Sequence, residues 1–276
     1  MQSYLNQEAQ NAPAHLQPLP ACNHRGWTQR ILDVVPQPVA KRLRVWKRAR
    51  QNWQAVQGGE RLVPEETLRA KYVEAVQFLA GALGGAGNVG DYLEFGVYNG
   101  SSLACAYHAT QRAGAGHMRL FGFDSFEGLP DNAHDQDGGL WHATQFCMAE
   151  ANARAYLRDH GVTFDRTHLI KGWFDDTCSP TTLAKHQIRQ VGLLMIDCDL
   201  YSSAKTALTF AGPLLQQTSI ILFDDWRSAD LHVRNMGEKK AFDEFLADNP
   251  QFTAEPFGDY GSASQCFVVR RAGRTT

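Results

Sequence analysis

No stretch of this 276-residue chain approaches the roughly 18 consecutive apolar residues of a membrane span. The six cysteines, Cys22, Cys105, Cys147, Cys178, Cys198 and Cys266, form no CxxC pair. That argues against a zinc site or a disulfide framework and for reduced thiols in the cytosol. Charge of one sign is lacking too: a net charge of −2 gives no global pull toward nucleic acid or a membrane surface. The opening segment MQSYLNQEAQNAPAHLQPLPACN has no apolar stretch of signal-peptide kind, so a cytoplasmic protein is expected. There is no internal repeat and no low-complexity tract. What remains is an ordinary globular composition, 43% hydrophobic and 20% charged, long enough for one large domain or a domain with an appendage.

Two regions differ in texture. Residues 1–63 read as an N-terminal extension, polar and proline-bearing at first (Pro13, Pro18, Pro20). A helix then carries Lys41, Arg42, Arg44, Lys47, Arg48 and Arg50. This basic segment suits an acidic partner or a membrane surface. Its apolar side, Val39, Leu43 and Trp46, equally suits packing on the catalytic body or on a second subunit, and a homodimer is expected on that ground. Residues 64–276 read as the catalytic domain. A helix opens at Pro64 with Glu65 and Glu66 in its first turn, repeats Leu68, Tyr72, Ala75, Val76 and Leu79 at helical spacing, and stops at Gly84 and Gly85. Seven strand candidates then alternate with helices, the last two strands closing the chain. The pattern predicts an α/β fold with a doubly wound, mainly parallel, seven-stranded sheet. Ligands in such sheets bind beyond the carboxyl ends of the strands.

The first strand ends in LEFGVYNGSS, with Glu94, Gly96, Gly100 and Ser101 at the start of a helix. Glycine permits a sharp turn and close approach of a ligand, and helix N-terminal N–H groups suit a carboxylate or phosphate. A tight strand-to-helix turn alone explains the glycines equally well. The GxGxxG of a dinucleotide site is absent, since only two glycines appear, four residues apart. Glu94 offers an anionic acceptor for a cationic amino group. The second strand ends in Asp124, where an acid can bond both hydroxyls of a ribose. An amino acid joined to a ribose fits this better than NAD does, and S-adenosylmethionine is such a ligand.

Two further strands run straight into paired acids: VGLLMIDCDLYSS ends in Asp197 and Asp199, and SIILFDDWRS in Asp224 and Asp225. One helix joins these strands, so they are expected to be neighbours. Two like charges about 4 Å apart repel by roughly 1 kcal/mol in water but about 4 kcal/mol at an effective dielectric near 20. Such a cluster must splay into solvent, hold protons, or bind a hard cation such as Mg²⁺, Ca²⁺ or Mn²⁺. Asp199 is also placed to cap the following helix. Cys198, flanked by acids, is a poor candidate for a thiolate nucleophile.

The segments YLEFGVYNGSS, LFGFDSFEGLP, KGWFDDT, IDCDLYSS and IILFDDW, in this order, resemble the macrocin O-methyltransferase family over roughly residues 63–271. The resemblance implies the Rossmann-like methyltransferase fold and metal-assisted methylation of a sugar hydroxyl by S-adenosylmethionine. The acceptor expected is a small-molecule glycoside or saccharide, and the metal commonly Mg²⁺. It further implies that Glu94, Gly96, Tyr98, Gly100 and Ser101 line the methionine half of the cofactor. Asp124 and Ser125 would contact the ribose, Phe126 would lie near the adenine, and Trp173 and Asp197 would also touch the cofactor. Asp197, Asp224 and Asp225 would ligate the metal, and Asp197 or Asp199 would take the acceptor proton. The chain departs from the family at Trp226, where tyrosine is usual, and in a longer RSADLHVRNMG segment, both on the expected acceptor side. That segment and the long loop carrying Trp141 and His142 are candidate lids. His142 is a candidate second base or a surface histidine. Two other readings stand beside this one: a nucleotide-sugar glycosyltransferase using the DxD, and a non-catalytic binding module on the same fold.

Overall fold

The computed structural model describes residues 63–272. The expectations for the N-terminal extension, its basic helix and its role in a dimer fall outside the described residues. Seven strands form one sheet: β1 Asp91–Phe95, β2 Leu120–Asp124, β3 Thr167–Lys171, β4 Val191–Ile196, β5 Leu215–Phe223, β6 Phe252–Pro256 and β7 Gln265–Arg271. Their order is β3-β2-β1-β4-β5-β7-β6. The first five are mutually parallel, while β7 runs antiparallel to both β5 and β6. The expected adjacency of β4 and β5 holds.

Helices α1 Glu65–Ala82, α2 Ser101–Arg112 and α3 Glu150–Asp159 contribute to one apolar layer, and α6 Tyr201–Ala211 and α7 Gly237–Asp248 to the other. The short α4 Phe174–Thr177 and α5 Pro180–His186 link β3 to β4. Strand alternation sorts the side chains between the layers. Tyr92, Leu193, Met195, Ile220 and Leu222 face the first, and Leu93, Phe95, Leu194, Ile196, Ile221 and Phe223 the second. A strand buried on both faces reads as a continuous apolar run, as β4 does in VGLLMI.

Helix α3 begins at Glu150, later than the segment starting at Phe146 predicts, because Phe146 has φ 58° and Ala149 is extended. Strand β5 starts earlier than expected, at Leu215. Cys105, Cys178, Cys198 and Cys266 are free thiols, but Cys147 is disulfide-bonded, so the expectation of reduced thiols fails there. Scattered spacing carries no information on such pairing. Among the described residues no helix is long and apolar enough to cross a membrane.

Candidate active site

The strand register builds the site. Phe95 pairs with Phe123 and Ile196, and Ile196 with Phe223, so the next residues along, Asp124, Gly96, Asp197 and Asp224, stand in one row at the carboxyl edge. Backbone bonds fix the row: Gly96 N–H donates to Phe123 O at 3.0 Å, Asp197 N–H to Phe95 O at 2.9 Å, and Asp224 N–H to Ile196 O at 3.1 Å. Gly96 is obligatory here. Its φ is +94°, and a Cβ would lie 1.6 Å from the Asp197 carbonyl oxygen. The turns leaving β1, β2 and β4 each hold a non-glycine residue at positive φ: Tyr98 at 49°, Phe126 at 56° and Asp199 at 63°. Such backbone strain concentrates at functional sites.

On the first half of the edge the acids are met by donors. Glu94 is fully buried, accepting from Tyr92 Oη at 2.5 Å and Ser102 Oγ at 2.7 Å, and Tyr92 bonds Tyr72 at 2.8 Å. Burial pushes the Glu94 carboxyl up to about 8, against the pull of those two hydroxyls. Asp124 accepts from the backbone N–H groups of Val97 and Tyr98, both at 2.8 Å, and Phe126 at 2.6 Å. It thereby staples the glycine loop to the turn after β2. Burial raises its pKa and these three bonds oppose the rise. Ser125 Oγ donates to Gly128 O at 3.0 Å and shapes that turn. The Phe126 ring is buried in the first core layer. Trp173 is one of two large apolar side chains exposed among the described residues, at 38%. Gly100 precedes α2, and Asn99 Oδ1 accepts from Ser101 N–H at 2.9 Å.

On the second half the acids face one another. Asp197 is pushed well above the usual carboxylate range, by burial first and then by Asp224, Asp225, Asp199 and Glu94. Burial raises Asp224 as well, while Tyr260 Oη donates to its Oδ1 at 2.7 Å. Asp225 Oδ1 accepts from Ser228 Oγ at 2.8 Å. The Cys198 thiol is pushed up by burial and then by surrounding acids, consistent with an inert thiol. The donor set is all carboxylate oxygen, which suits a hard cation. Yet no group of three or more His, Cys, Asp or Glu among the described residues is disposed to hold a metal ion. Asp197, Asp224 and Asp225 thus match a hard cation in donor type but are not gathered into such a group in this structure.

Three residues of this half escape a reading of the sequence. Glu238, in the first turn of α7, is 1% exposed; its Oε2 accepts from Asp225 N–H at 3.0 Å, and its Oε1 has no hydrogen-bond partner. Burial, then Asp225, Asp224, Asp197 and Asp199, raise its pKa. The usable signal was topological, since a helix entered from β5 starts at the carboxyl edge. Tyr260 comes from the β6–β7 connection and shows no local signature. Asp137 accepts from the first N–H groups of both α6 and α7. With Gln136 Oε1 on Ser202 N–H at 3.1 Å, it fills the capping role considered for Asp199.

Two aromatic residues change place relative to expectation. Trp141 is 1% exposed, within a small core of Ala133, Leu200 and Leu231. Trp226 is buried against Phe223, Phe242 and Phe267, with ring centroids 5.1, 6.0 and 5.0 Å away. The departure at Trp226 is thus a change of core packing. His142 stacks on His134 at 5.4 Å.

This sheet order is that of the Rossmann-like methyltransferase fold, and solved structures agree. The O-methyltransferase NovP superposes with a TM-score of 0.60 at 21% identity, covering 75% of this chain and 80% of its own. The O-methyltransferase from Bacillus cereus in complex with SAH gives a TM-score of 0.52 at 14% identity, covering 89% and 96%. The chain belongs to the Macrocin-O-methyltransferase (TylF) family, whose description matches residues 74–248. A curated relative is the 8-demethyl-8-(2,3-dimethoxy-α-L-rhamnosyl)-tetracenomycin-C 4'-O-methyltransferase of Streptomyces olivaceus, 26% identical over 162 residues. That match spans 56% of this chain and 60% of the relative's length.

Proposed function

We propose that this protein transfers the methyl group of S-adenosylmethionine to a hydroxyl of a small molecule, a sugar or glycoside. The observation that carries the reading is the single row of strand ends, which sets a glycine loop and a helix N-terminus beside an acidic cluster. The relative that acts on a rhamnosyl group supports the sugar, and the neighbour bound to SAH supports the cofactor.

In this reading the methionine half of the cofactor lies over Gly96, Tyr98, Gly100 and Ser101. Its carboxylate meets the positive end of α2 and its amino group meets Glu94. Asp124, Ser125, Phe126 and Trp173 surround the nucleoside. The methyl group is already activated as a sulfonium, so the chain supplies position, exclusion of water and proton transfer. Asp197 or Asp199 accepts the hydroxyl proton on a carboxylate oxygen. Burial and its acidic neighbours raise the Asp197 pKa, which makes its carboxylate a stronger proton acceptor than an ordinary aspartate. Its negative neighbours also favour the sulfonium cation. A divalent metal, Mg²⁺, at Asp197, Asp224 and Asp225 belongs to the proposal on donor chemistry alone; when bound it would act as a Lewis acid on the acceptor oxygen. A homodimer belongs to it on the sequence pattern of residues 39–50 alone.

The test measures radiolabelled methyl transfer from S-adenosylmethionine to a panel of rhamnosides and other glycosides, with EDTA and with Mg²⁺ restored. Calorimetry with S-adenosylmethionine and SAH accompanies it. Binding of neither at sub-millimolar concentration overturns the enzyme class. Full activity in EDTA removes the metal and leaves methyl transfer standing.

A further inference from the structure

The segments between β2 and α3 and between β5 and α7 are not independent loops. They share a core in which Ala133 and Trp141 of the first meet Leu231 of the second and Leu200 before α6, all at most 1% exposed. Gly138 has φ +73°, and a Cβ there would stand 2.3 Å from Arg234 Nη2, so the guanidinium of the second segment packs directly on the backbone of the first. At the join lies Asp137, itself at φ 48° and 6% exposed. Its Oδ2 accepts from Tyr201 N–H at 2.9 Å and its Oδ1 from Gly237 N–H at 2.8 Å. These are the first residues of α6 and α7. The N-cap residues of those helices, Leu200 and Met236, supply no side-chain acceptor. One buried carboxylate therefore caps two helices, where two partial positive charges hold it.

Both helix starts root the acidic cluster. Tyr201 stands two residues beyond Asp199. Gly237 is bonded to Glu238, whose carboxylate receives the Asp225 N–H. We propose that Asp137 is a positioning residue: it sets the spacing of the Asp197–Asp199 and Asp224–Asp225 arms and ties it to the packing of the two acceptor-side segments. Its catalytic consequence rests on the methyl-transfer reading. The coupling of the two helices does not.

Hydrogen exchange at the Tyr201, Ser202 and Gly237 amides, together with methyl-transfer kinetics and SAH calorimetry, tests this on the full chain. Asp137→Ala is expected to speed exchange about tenfold or more at both Tyr201 and Gly237. Asp137→Asn keeps one carbonyl acceptor and should loosen one of the two. Gln136→Ala should loosen Ser202 alone. In Asp137→Ala, kcat should fall about tenfold or more while the SAH Kd stays within about threefold. If Asp137→Ala does not fold, Asp137→Asn carries the same comparison. Unchanged exchange at Gly237 in Asp137→Ala, unchanged exchange at both amides in Asp137→Asn, or faster exchange with unaltered kcat and acceptor KM, overturns the proposal. If the wild type binds SAH but methylates nothing, the methyl-transfer reading fails, and exchange alone still decides whether one carboxylate joins the two helices.

Discussion

The two halves of the carboxyl edge use the same residue types to opposite ends. On the β1–β2 side, Glu94 and Asp124 are carboxylates surrounded by donors: two hydroxyls for one, three backbone N–H groups for the other. On the β4–β5 side, Asp197, Asp199, Asp224, Asp225 and Glu238 crowd one another, although Tyr260, Ser228 and the Asp225 N–H donate to three of them. A buried acid stabilises a fold when hydrogen bonds replace its lost water, and strains the fold when like charges do. The first half is therefore built to hold its shape without a ligand. The second is built to gain from whatever brings positive charge or takes up a proton. That division suits a cofactor cradle beside a reacting centre.

The largest effect expected from this contrast is at Asp197. Asp197→Asn should lower methyl transfer about 10²–10⁴-fold, the usual worth of a positioned proton acceptor. Melting temperature should hold or rise, because a like charge leaves a crowded cluster. Loss of activity together with a fall of several degrees would mean that Asp197 is a structural acid like those of the first half. Asp124→Ala is the converse. It orphans the Val97, Tyr98 and Phe126 N–H groups and should cost about 3 kcal/mol in urea denaturation, with cofactor binding lost alongside. A cost under about 1 kcal/mol would show that water replaces the staple and that the first half is less rigid than its bonds imply.

The distinction between the halves was only partly legible in the sequence. The strand ends were, because an apolar run closing on an acid marks both a core and its edge, as in VGLLMID and IILFDD. Adjacency of β4 and β5 followed from the single helix between them. Placement of β7 between β5 and β6 has no local signal, since it depends on which edge the last strand finds. The same reason hides Asp137, Glu238 and Tyr260. An acid in a loop, an acid in a first helical turn and a tyrosine in a hairpin look alike wherever they land; only tertiary contact makes one a double cap and the others cluster members. Trp141 and Trp226 fail in the opposite sense. Aromatic residues near long loops suggest contact with an acceptor, yet Trp141 is buried in the small core it shares with Ala133, Leu200 and Leu231, and Trp226 in the second core layer of the sheet.

The smallest and sharpest test lies in the pH dependence of the first half. The Glu94 carboxyl sits at about 8 in the folded protein against an ordinary 4.5, so the folded state holds its proton more tightly than the unfolded one. Its contribution to stability is complete below about pH 4.5 and is lost as pH rises through about 8. Asp197, Asp224 and Glu238 are shifted the same way and add to the same slope. Glu94→Gln keeps a neutral acceptor for Tyr92 and Ser102, so it should flatten the stability profile across this window. A parallel, merely displaced profile would place the slope wholly in the acidic half. The cofactor's amino group should reverse the shift, because an ammonium favours ionised Glu94. Calorimetry of S-adenosylmethionine binding near pH 7, in buffers of different ionisation enthalpy, should then show proton release from the wild type and less from Glu94→Gln. Equal release from both proteins would move the proton to the Asp197 cluster and make the cofactor's charge a matter for the second half of the edge.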